Sequence, residues 1–436
     1  MSRLLPILRL AERGFAVLGL LSSTLALVPL LHQGSENQSP IIGINLAQDE
    51  AVGGPEDIVI SLGIYGITLL LVGLRWNRFM HAALRNKLLL LLVGIALVSV
   101  FWSVLPRSTL LRGGALVGQT LFGVYLAIRY SLREQLHLWA WMLGIAALLS
   151  LLFALALPSY GLFADPRGYS WRGIYLHKNY LGMWMTLSAL VFFLLATTSS
   201  PRHRWLLWGG FGLSVGLLLL SKSATGLVVF VTLLILLPLY RALRWHYTLS
   251  VPIFIGAVLV GGGVVIALLG NMDTVLDILG RDVTLTGRTV WWRAALVMIW
   301  ERPWLGYGYG AFWDSGEIAR FWAMTDAWFI PGLRFRNAHN GFIDLWLELG
   351  LLGLSVFALG FLLAFRRAVA WVRLTKTAEG FLPLVYLTFM LLYSFVERTL
   401  LFRPFWALYV SMVFSIFYVR TKARTITVDP DGLREP

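Results

Sequence analysis

Long apolar runs alternate with short polar connections along most of the chain. Each run approaches the roughly 20 residues that an α-helix needs to cross a hydrocarbon core of about 30 Å. This alternation predicts an all-α, polytopic membrane protein with about 12 transmembrane helices. The predicted spans lie near residues 14–32, 57–74, 88–105, 112–128, 136–158, 178–198, 205–221, 224–240, 249–270, 341–364, 381–396 and 404–419.

Composition supports the membrane assignment and excludes several kinds of chemistry. Hydrophobic residues make up 58% of the chain and charged residues 13%, whereas soluble domains carry about 25% charge. The sequence contains no cysteine. Disulfides, thiolate nucleophiles and thiolate metal sites are therefore excluded.

The polar connections predict how the chain is oriented in its membrane. More than half of the 36 Lys and Arg residues lie in the alternate connections that include both termini, and cytoplasmic connections are enriched in these residues. We therefore expect both termini in the cytoplasm. The chain then divides into nine spans in residues 1–270, a large periplasmic loop at residues 271–340, and three spans with a cytoplasmic tail in residues 341–436.

Basic residues also lie on the predicted outer side, at the mouths of spans. Membrane topology disfavours them there. One interpretation is that they anchor the helices to lipid headgroups. The other is that they converge on one polyanion, and a lipid-linked diphosphate would fit such a cluster. The residues are Arg107, Arg112, Arg167, Arg172, Lys178, Lys222, Arg288, Arg293, Arg334, Arg336, Arg398 and Arg403.

The large loop contains a predicted amphipathic helix that begins near residue 286 and ends before Pro303. This helix has a predicted apolar face and several tryptophans. The tryptophans fit either an interfacial belt or stacking on sugar rings. The following "GYGYGAFW" lacks the strand and Lys-Ser/Thr context of a phosphate loop, so we interpret it as a turn. The face comprises Val290, Ala294, Val297 and Met298, and the tryptophans are Trp291, Trp292, Trp300 and Trp304.

A histidine lies at the mouth of the tenth predicted span. Asn337 or Asn340 can cap the helix that starts near Gly341, which places His339 in the first turn or just outside it. The positive helix end favours a neutral imidazole that can accept a proton. Asp344 and Glu348 lie on other sides of that helix, so we do not expect them to orient the ring. A structural role for the histidine is the alternative.

Several motifs resemble those of the bacterial O-antigen ligase superfamily, which also contains O-antigen and exopolysaccharide polymerases. "HNGFIDLWLELGLLG" matches the family pattern of His, Asn, nine residues, Gly, two residues and Gly, with Gly350 and Gly353 as the glycines. "GRDVTLTGRTVWW" resembles the Gly-Arg-Thr motif, and "WRGIYLHKNYLG", "SVFWSVLP" and "LSKSATG" are further similar stretches.

The resemblance implies a metal-independent, inverting glycosyltransferase of the GT-C type. Such an enzyme works without a cofactor at the periplasmic face of the bacterial inner membrane, on an undecaprenyl-diphosphate-linked glycan donor. It implies His339 as the base on the acceptor hydroxyl. It also implies that Arg288 binds the donor diphosphate, with Lys178, Arg172, Lys222 and Arg336 as further candidates. Many ligases have Ser-x-Ser-Arg where this chain has Ala224 in the last position, which leaves Lys222 as the substitute.

Three questions stay open at this point. A ligase with lipid A-core sugar as acceptor is favoured, and a polymerase that extends a growing glycan chain is the alternative. A lipid-linked glycan transporter is a third reading, although the spans before residue 270 carry almost no acidic residue of the kind that coupled transporters bury. Carboxylates of the first outer connection also compete with His339 as base, namely Asp49, Glu50, Glu56 and Asp57.

Overall fold

A computed structural model describes residues 4–26, 55–165, 168–198, 200–244, 288–325 and 337–426. The predicted span at residues 249–270 lies outside these ranges, as do Asp49, Glu50, Arg334 and Arg336. The predicted first span, residues 14–32, is described only in part.

The described residues form fourteen helices and one hairpin. The helices are α1 (Leu4–Ser23), α2 (Pro55–Gly73), α3 (Trp76–Ala83), α4 (Lys87–Val98), α5 (Pro106–Arg129), α6 (Leu132–Ala156), α7 (Lys178–Thr198), α8 (Pro201–Leu220), α9 (Ala224–Ala242), α10 (Arg288–Glu301), α11 (Glu317–Ala323), α12 (Gly341–Leu374), α13 (Leu382–Ser394) and α14 (Arg403–Ile426). Short 3-10 turns cover Ser99–Phe101, Phe312–Asp314 and Ala378–Phe381, and a single helical turn covers Pro158–Gly161.

The architecture is that of an all-α polytopic membrane protein. Seven of the described helices, α2, α5, α6, α7, α8, α9 and α12, are long and apolar enough to cross a membrane. The count is eight if α3 and α4, which meet at 92°, form one broken span. Shorter apolar helices cover Ala378–Ser394 and Phe405–Phe417. The total of twelve spans stays a prediction.

One small sheet interrupts the helices, and the apolar pattern did not predict it. Strands β1 (Leu162–Asp165) and β2 (Gly168–Trp171) pair antiparallel, with Leu162 opposite Trp171. Gly168 has φ +98°, a backbone conformation that glycine adopts without steric cost. The hairpin is part of the segment that connects α6 to α7.

The helices divide into a packed centre and a lipid-facing surround. In α7, 78% of the apolar window is buried inside the protein, against 17% in α2 and in α8. Large apolar side chains on the outer helices remain exposed, such as Leu70 on α2 and Trp205 on α8. Since a membrane helix must present apolar side chains to hydrocarbon, α2 and α8 border the lipid.

Ion pairs join connections that the charge pattern assigns to one side. Glu12 accepts hydrogen bonds from Arg75 at 2.6 Å and from Arg129 at 2.9 Å. All three belong to the predicted cytoplasmic set. Arg403 pairs with Asp57, and both belong to the predicted outer set. Alternate connections thus come together at shared ends of the bundle, while the side that faces the cytoplasm stays a prediction.

Helix α12 is broken at Gly350, where the backbone has φ 65° and ψ −170°. The segment that follows α10 fills the break. The N–H groups of Tyr307 and Gly308 donate to the carbonyls of Leu347 and Glu348 at 2.8 and 2.9 Å. In return, the N–H groups of residues 351 and 352 donate to the carbonyls of residues 303 and 304 at 2.8 and 3.2 Å. Backbone groups that the break would leave without partners are therefore satisfied, as apolar surroundings demand.

The break also explains why a glycine occupies this position of the motif. A Cβ at residue 350 would lie 2.2 Å from the carbonyl carbon of Trp304. The left-handed backbone adds a conformational cost for any other residue. Gly353 is restricted as well, because a Cβ there would lie 2.3 Å from the Cβ of Leu349.

We expect Gly350→Ala to destabilise the protein by about 2 kcal/mol or more, because it adds left-handed strain to a backbone collision. The measurement is the thermal midpoint of the purified protein in detergent. Gly360→Ala is the matched control on the same helix, where a Cβ would meet only Leu88 at 3.7 Å. Equal midpoints for the two variants would contradict this account of the break.

Candidate functional site

Two asparagines set the position of His339. Asn340 caps α12, with its Oδ1 accepting hydrogen bonds from the N–H groups of Phe342 and Ile343 at 3.0 and 3.2 Å. His339 therefore lies just outside the helix, in the left-handed region with φ 48°. Its own N–H donates to Oδ1 of Asn337 at 2.7 Å. Non-glycine residues in this conformation are uncommon, and they concentrate at functional sites.

The imidazole of His339 contacts a carboxylate from another part of the chain. Its Nδ1 lies 3.1 Å from Oε2 of Glu397, in the connection between α13 and α14. Both side chains are mostly buried, with exposed fractions of 16% and 20%. An ionised carboxylate only accepts hydrogen bonds, so Nδ1 is the donor. The other ring nitrogen, Nε2, then carries the lone pair that can accept a proton.

Sequence reasoning did not single out Glu397. The signal was present, since Glu397 is the only acidic residue in the connection at residues 395–402. That connection joins the last two predicted spans on the predicted outer side. A single carboxylate confined to a short outer connection is a candidate partner for an outer histidine.

Tryptophans of α10 also pack around the histidine. The ring of Trp291 stacks on the imidazole, with centroids 5.8 Å apart and an interplanar angle of 29°. Trp292 donates its Nε1 hydrogen to the carbonyl of Ala338 at 2.9 Å. By contrast, Trp300 and Trp304 are 69% and 68% exposed. The tryptophans therefore form two pairs, one that packs around His339 and one that suits an interfacial belt.

The bounds of α10 agree with the predicted helix, but its predicted apolar face is partly wrong. Ala294 and Met298 are buried as expected, whereas Val297 is 47% exposed. Trp291 and Ile299 are buried instead. The buried face is thus rotated toward Trp291, because α10 packs against α12 and against His339.

The acidic residues of α12 stabilise the surroundings of the site. Oδ1 of Asp344 accepts hydrogen bonds from the N–H of Ala338 and from Nε1 of Trp313, both at 2.9 Å. Glu348 forms a buried ion pair with Arg398. Neither carboxylate is the partner of His339, as its position on the helix indicated.

A cleft surrounds the His339–Glu397 pair, and a second histidine borders it. Nδ1 of His177 accepts the N–H of Asn179 at 3.2 Å, which leaves the ring hydrogen on Nε2. Burial lowers the pKa of His177 to about 4, so the ring is neutral at pH 7 and donates through Nε2. Residues that line the cleft are His177, Asn179, Tyr180, Met183, Asn337, His339, Glu397, Arg398, Phe402 and Phe405.

The predicted cations of the α6–α9 region lie in different settings. Lys178 is the first residue of α7, between His177 and Asn179 of the cleft. Arg172 is buried, and its guanidinium donates to the carbonyls of residues 159, 160 and 176. Burial lowers its pKa. Arg172 therefore holds the turn before α7 in shape, and its proposed contact with a diphosphate stays a prediction.

Lys222 is exposed between α8 and α9 and has φ 51°. The turn around it packs against α7, since a Cβ at Gly182 would lie 2.5 Å from the Cβ of Ser223. Gly182 is one helical turn beyond Lys178. The two similar stretches "HKNYLG" and "LSKSATG" are thus in direct contact, which brings Lys222 to the same end of α7 as Lys178.

The remaining predicted residues can be placed only in part. Arg288 is the first residue of α10, one turn before Trp291. Arg336 lies outside the described residues, next to Asn337 of the cleft. Among the competing carboxylates, Asp57 is buried and paired with Arg403. That pairing makes Asp57 a poor proton acceptor.

The "GYGYG" segment is a turn, as predicted. Gly306, Gly308 and Gly310 all have positive φ, between 64° and 98°. Four successive N–H groups, those of residues 306 to 309, donate to protein oxygens at 2.8 to 3.1 Å. A phosphate loop needs such groups free to face its ligand, so this segment is not one.

Within the described residues, no group of three or more His, Asp and Glu side chains could hold a metal ion. The cleft offers imidazole, amide, carboxylate and guanidinium groups instead. These groups can move a proton and bind an anion.

Comparison with known proteins shows a match to a family model over part of the chain and similarity to an exopolysaccharide production protein. Residues 209–358 match the O-antigen ligase family model, a stretch that contains Arg288, His339 and both motif glycines. The chain is also 28% identical, over 311 residues, to the exopolysaccharide production protein ExoQ of Rhizobium meliloti (strain 1021), covering 70% of each chain. The two comparisons confirm the resemblance to the O-antigen ligase and polymerase superfamily.

The low pKa of His177 predicts an acid-sensitive component of stability. Unfolded chains take up this proton near pH 6.5, whereas the folded protein takes it up near pH 4. Stability should therefore fall as the pH drops from 6.5 toward 4. We expect a smaller loss of thermal midpoint between pH 7 and pH 5 in His177→Asn, whose amide oxygen can still accept the Asn179 N–H. His203→Asn, at an exposed histidine of α8, should behave as wild type, and identical losses in all three proteins would disprove the assignment.

Proposed function

We propose that the protein is a metal-independent, inverting glycosyltransferase of the GT-C type in the bacterial inner membrane. It transfers an undecaprenyl-diphosphate-linked glycan to a hydroxyl of an acceptor sugar at the periplasmic face. The observation that carries this proposal is the His339–Glu397 pair, held at 3.1 Å in a cleft that Arg398 also lines. The similarity to the O-antigen ligase family and to ExoQ supports the proposed class of substrate.

The proposed base is Nε2 of His339. As the acceptor hydroxyl attacks the anomeric carbon, a new C–O bond forms and the proton passes to Nε2. Nδ1 keeps its hydrogen bond to Glu397, whose negative charge stabilises the imidazolium as it forms. This arrangement of base and orienting carboxylate is the one that acyl-transfer enzymes use.

The leaving group departs on the other side of the anomeric carbon. The bond between that carbon and the diphosphate oxygen breaks, and its electron pair stays on undecaprenyl diphosphate. Cations stabilise that charge without a metal ion. We assign this role to Arg288, with Lys178, Arg172, Lys222 and Arg336 as further candidates. We add Arg398, which lines the cleft and is paired with Glu348.

His177 is a candidate hydrogen-bond donor to oxygen atoms of the substrate. His177 lines the cleft, and its Nε2–H is a neutral donor because burial keeps the ring uncharged. A neutral donor can bind a sugar hydroxyl without binding the diphosphate in its place. We therefore assign His177 to positioning a sugar in the cleft.

The acceptor has two candidates, each with an observation in its favour. ExoQ is an exopolysaccharide production protein by name, and its similarity covers 70% of both chains. That breadth favours a polymerase whose acceptor is a growing glycan chain. The family model over residues 209–358 is that of an O-antigen ligase, which favours lipid A-core sugar as acceptor. We place the polymerase first, because its evidence spans more of the chain.

Replacing His339 should abolish transfer while leaving the protein intact in the membrane. Loss of a general base costs about 10² to 10⁴ in rate. Both His339→Ala and His339→Gln should show this loss with purified lipid-linked donor, because glutamine cannot take the proton. Glu397→Gln should also be impaired, by about 10-fold or more, since the ring loses its orienting charge.

The control is Glu317→Gln, which should leave transfer unchanged. The carboxylate of Glu317 pairs with Arg320 at a distance of 3.0 Å, and this pair is not part of the cleft. High activity in His339→Gln would make His339 a positioning residue. The base would then have to be another outer carboxylate, such as Glu56.

Arg288 should hold the diphosphate through paired, charge-assisted hydrogen bonds. Lysine keeps the charge but loses the planar fork of donors. We therefore expect Arg288→Lys to stay strongly impaired in donor binding and turnover. Arg293→Lys, at an exposed position of the same helix, is the matched control. Normal donor binding in Arg288→Lys would remove Arg288 from the site.

Deleting the gene and separating the surface glycans on a gel tests the acceptor. A polymerase leaves products that carry a single repeat unit, because each lipid-linked unit remains unextended. A ligase instead leaves a capped core together with unligated polymer. Single-repeat products are the expected result, and accumulation of full-length unligated polymer would overturn the order of the two candidates.

A further inference from the structure

A second cavity lies between α4, α12 and α14, where the α12 residues Val356 to Arg367 line it well beyond His339. Its volume is about 260 Å³. Apolar side chains form its walls, among them Leu92, Val356, Leu363 and Val413. None of its lining residues is acidic. We call this cavity the α4–α12 groove.

Three cations surround the mouth of the α4–α12 groove. Arg85 and Lys87 are exposed at the corner where α3 and α4 meet at 92°. Arg367 of α12 joins them, with its Cζ 3.3 Å from the ring centroid of Phe417. Basic residues above an apolar groove match the shape and charge of an anionic lipid, with its headgroup at the cations and its chain along the wall.

Asn86, between the two exposed cations, supplies an independent indication of a ligand. Its side chain is 4% exposed, and Nδ2 donates to the carbonyl of Ala82 at 2.9 Å. Its Oδ1 is buried and accepts no hydrogen bond within the described residues. Although Asn86 occupies the N-cap position of α4, it makes no capping hydrogen bond there. A buried acceptor left without a donor is unfavourable, and Asn86 lines the groove, so a ligand that brings a donor to this oxygen would be stabilised there.

We propose that the α4–α12 groove binds an anionic glycerophospholipid whose headgroup carries a free hydroxyl, of the phosphatidylglycerol type. The phosphate lies among Arg85, Lys87 and Arg367, and the headgroup hydroxyl donates to Oδ1 of Asn86. A phosphatidylethanolamine would bring its ammonium group among these cations, which is unfavourable. The site is separate from the cleft and does not depend on the glycan-transfer reaction.

Native mass spectrometry of the purified full-length protein tests the charge requirement. The protein is mixed with equal amounts of phosphatidylglycerol and phosphatidylethanolamine that have the same acyl chains. Wild type should retain phosphatidylglycerol preferentially. Each cation removed should weaken binding about fivefold, so Arg85→Gln/Lys87→Gln should bind about 25-fold less. Arg133→Gln/Arg202→Gln removes two exposed cations elsewhere and should bind as wild type.

Phosphatidylmethanol tests the hydrogen bond, because it has the same charge but no headgroup hydroxyl. Wild type should prefer phosphatidylglycerol over it, and Asn86→Leu should lose that preference. Gly360→Leu should exclude both lipids, since it fills the groove wall that faces Leu88. Thermal midpoints near the wild-type value establish that each variant is folded. Equal retention of phosphatidylethanolamine, equal retention of phosphatidylmethanol, or undiminished binding in the double variant would each overturn the proposal.

Discussion

The break of α12 at Gly350 is the constraint on which the end of the molecule that holds the His339–Glu397 cleft depends. A continuous helix would satisfy its own backbone, but a broken one exposes donors and acceptors that apolar surroundings do not tolerate. The segment at residues 303–308 supplies all four of the partners seen at the break. It is itself held by a third part of the chain, since Trp102 donates to the carbonyl of Leu305 at 2.9 Å and Val104 donates to that of Tyr307 at 3.0 Å.

This docking has a direct consequence for the site. With residues 303–308 fixed on α12, the preceding helix α10 is held beside the start of the same helix. Trp291 then stacks on His339, while Glu397 from the α13–α14 connection contacts Nδ1 of the ring. The packing of three segments that are distant in the sequence therefore positions the proposed base, His339. Substitutions at the break should disturb the cleft as well as the fold.

The apolar pattern predicted helices that are long enough to cross a membrane. The predicted span at residues 178–198 coincides with α7, because the run is bounded by Lys178 and by the helix-starting Pro201. The pattern predicted neither the bend between α3 and α4 nor the break at Gly350. The break depends on partners at residues 303–308, far away in the chain. Motif glycines indicated that position 350 was special, but only its contact with Trp304 explains why.

The candidate site was predictable to a similar extent. His339 and its capping asparagine followed from local spacing, and the helix start at Gly341 agrees with that prediction. Glu397 did not follow, because a hydrogen bond between residues 58 positions apart has no local signature. The displaced apolar face of α10 has the same origin: the helix buries Trp291 against the histidine rather than following its own hydrophobic pattern.

Glycan transfer by the purified protein, reconstituted in vesicles with lipid-linked donor and EDTA, tests the central claim most directly. The quantities to measure are glycan chain length and undecaprenyl diphosphate released. The account predicts longer or newly attached glycan, with one undecaprenyl diphosphate released for each transfer. Movement of the lipid-linked glycan across the membrane with no change in its length, or transfer that EDTA abolishes and Mg²⁺ restores, would contradict it.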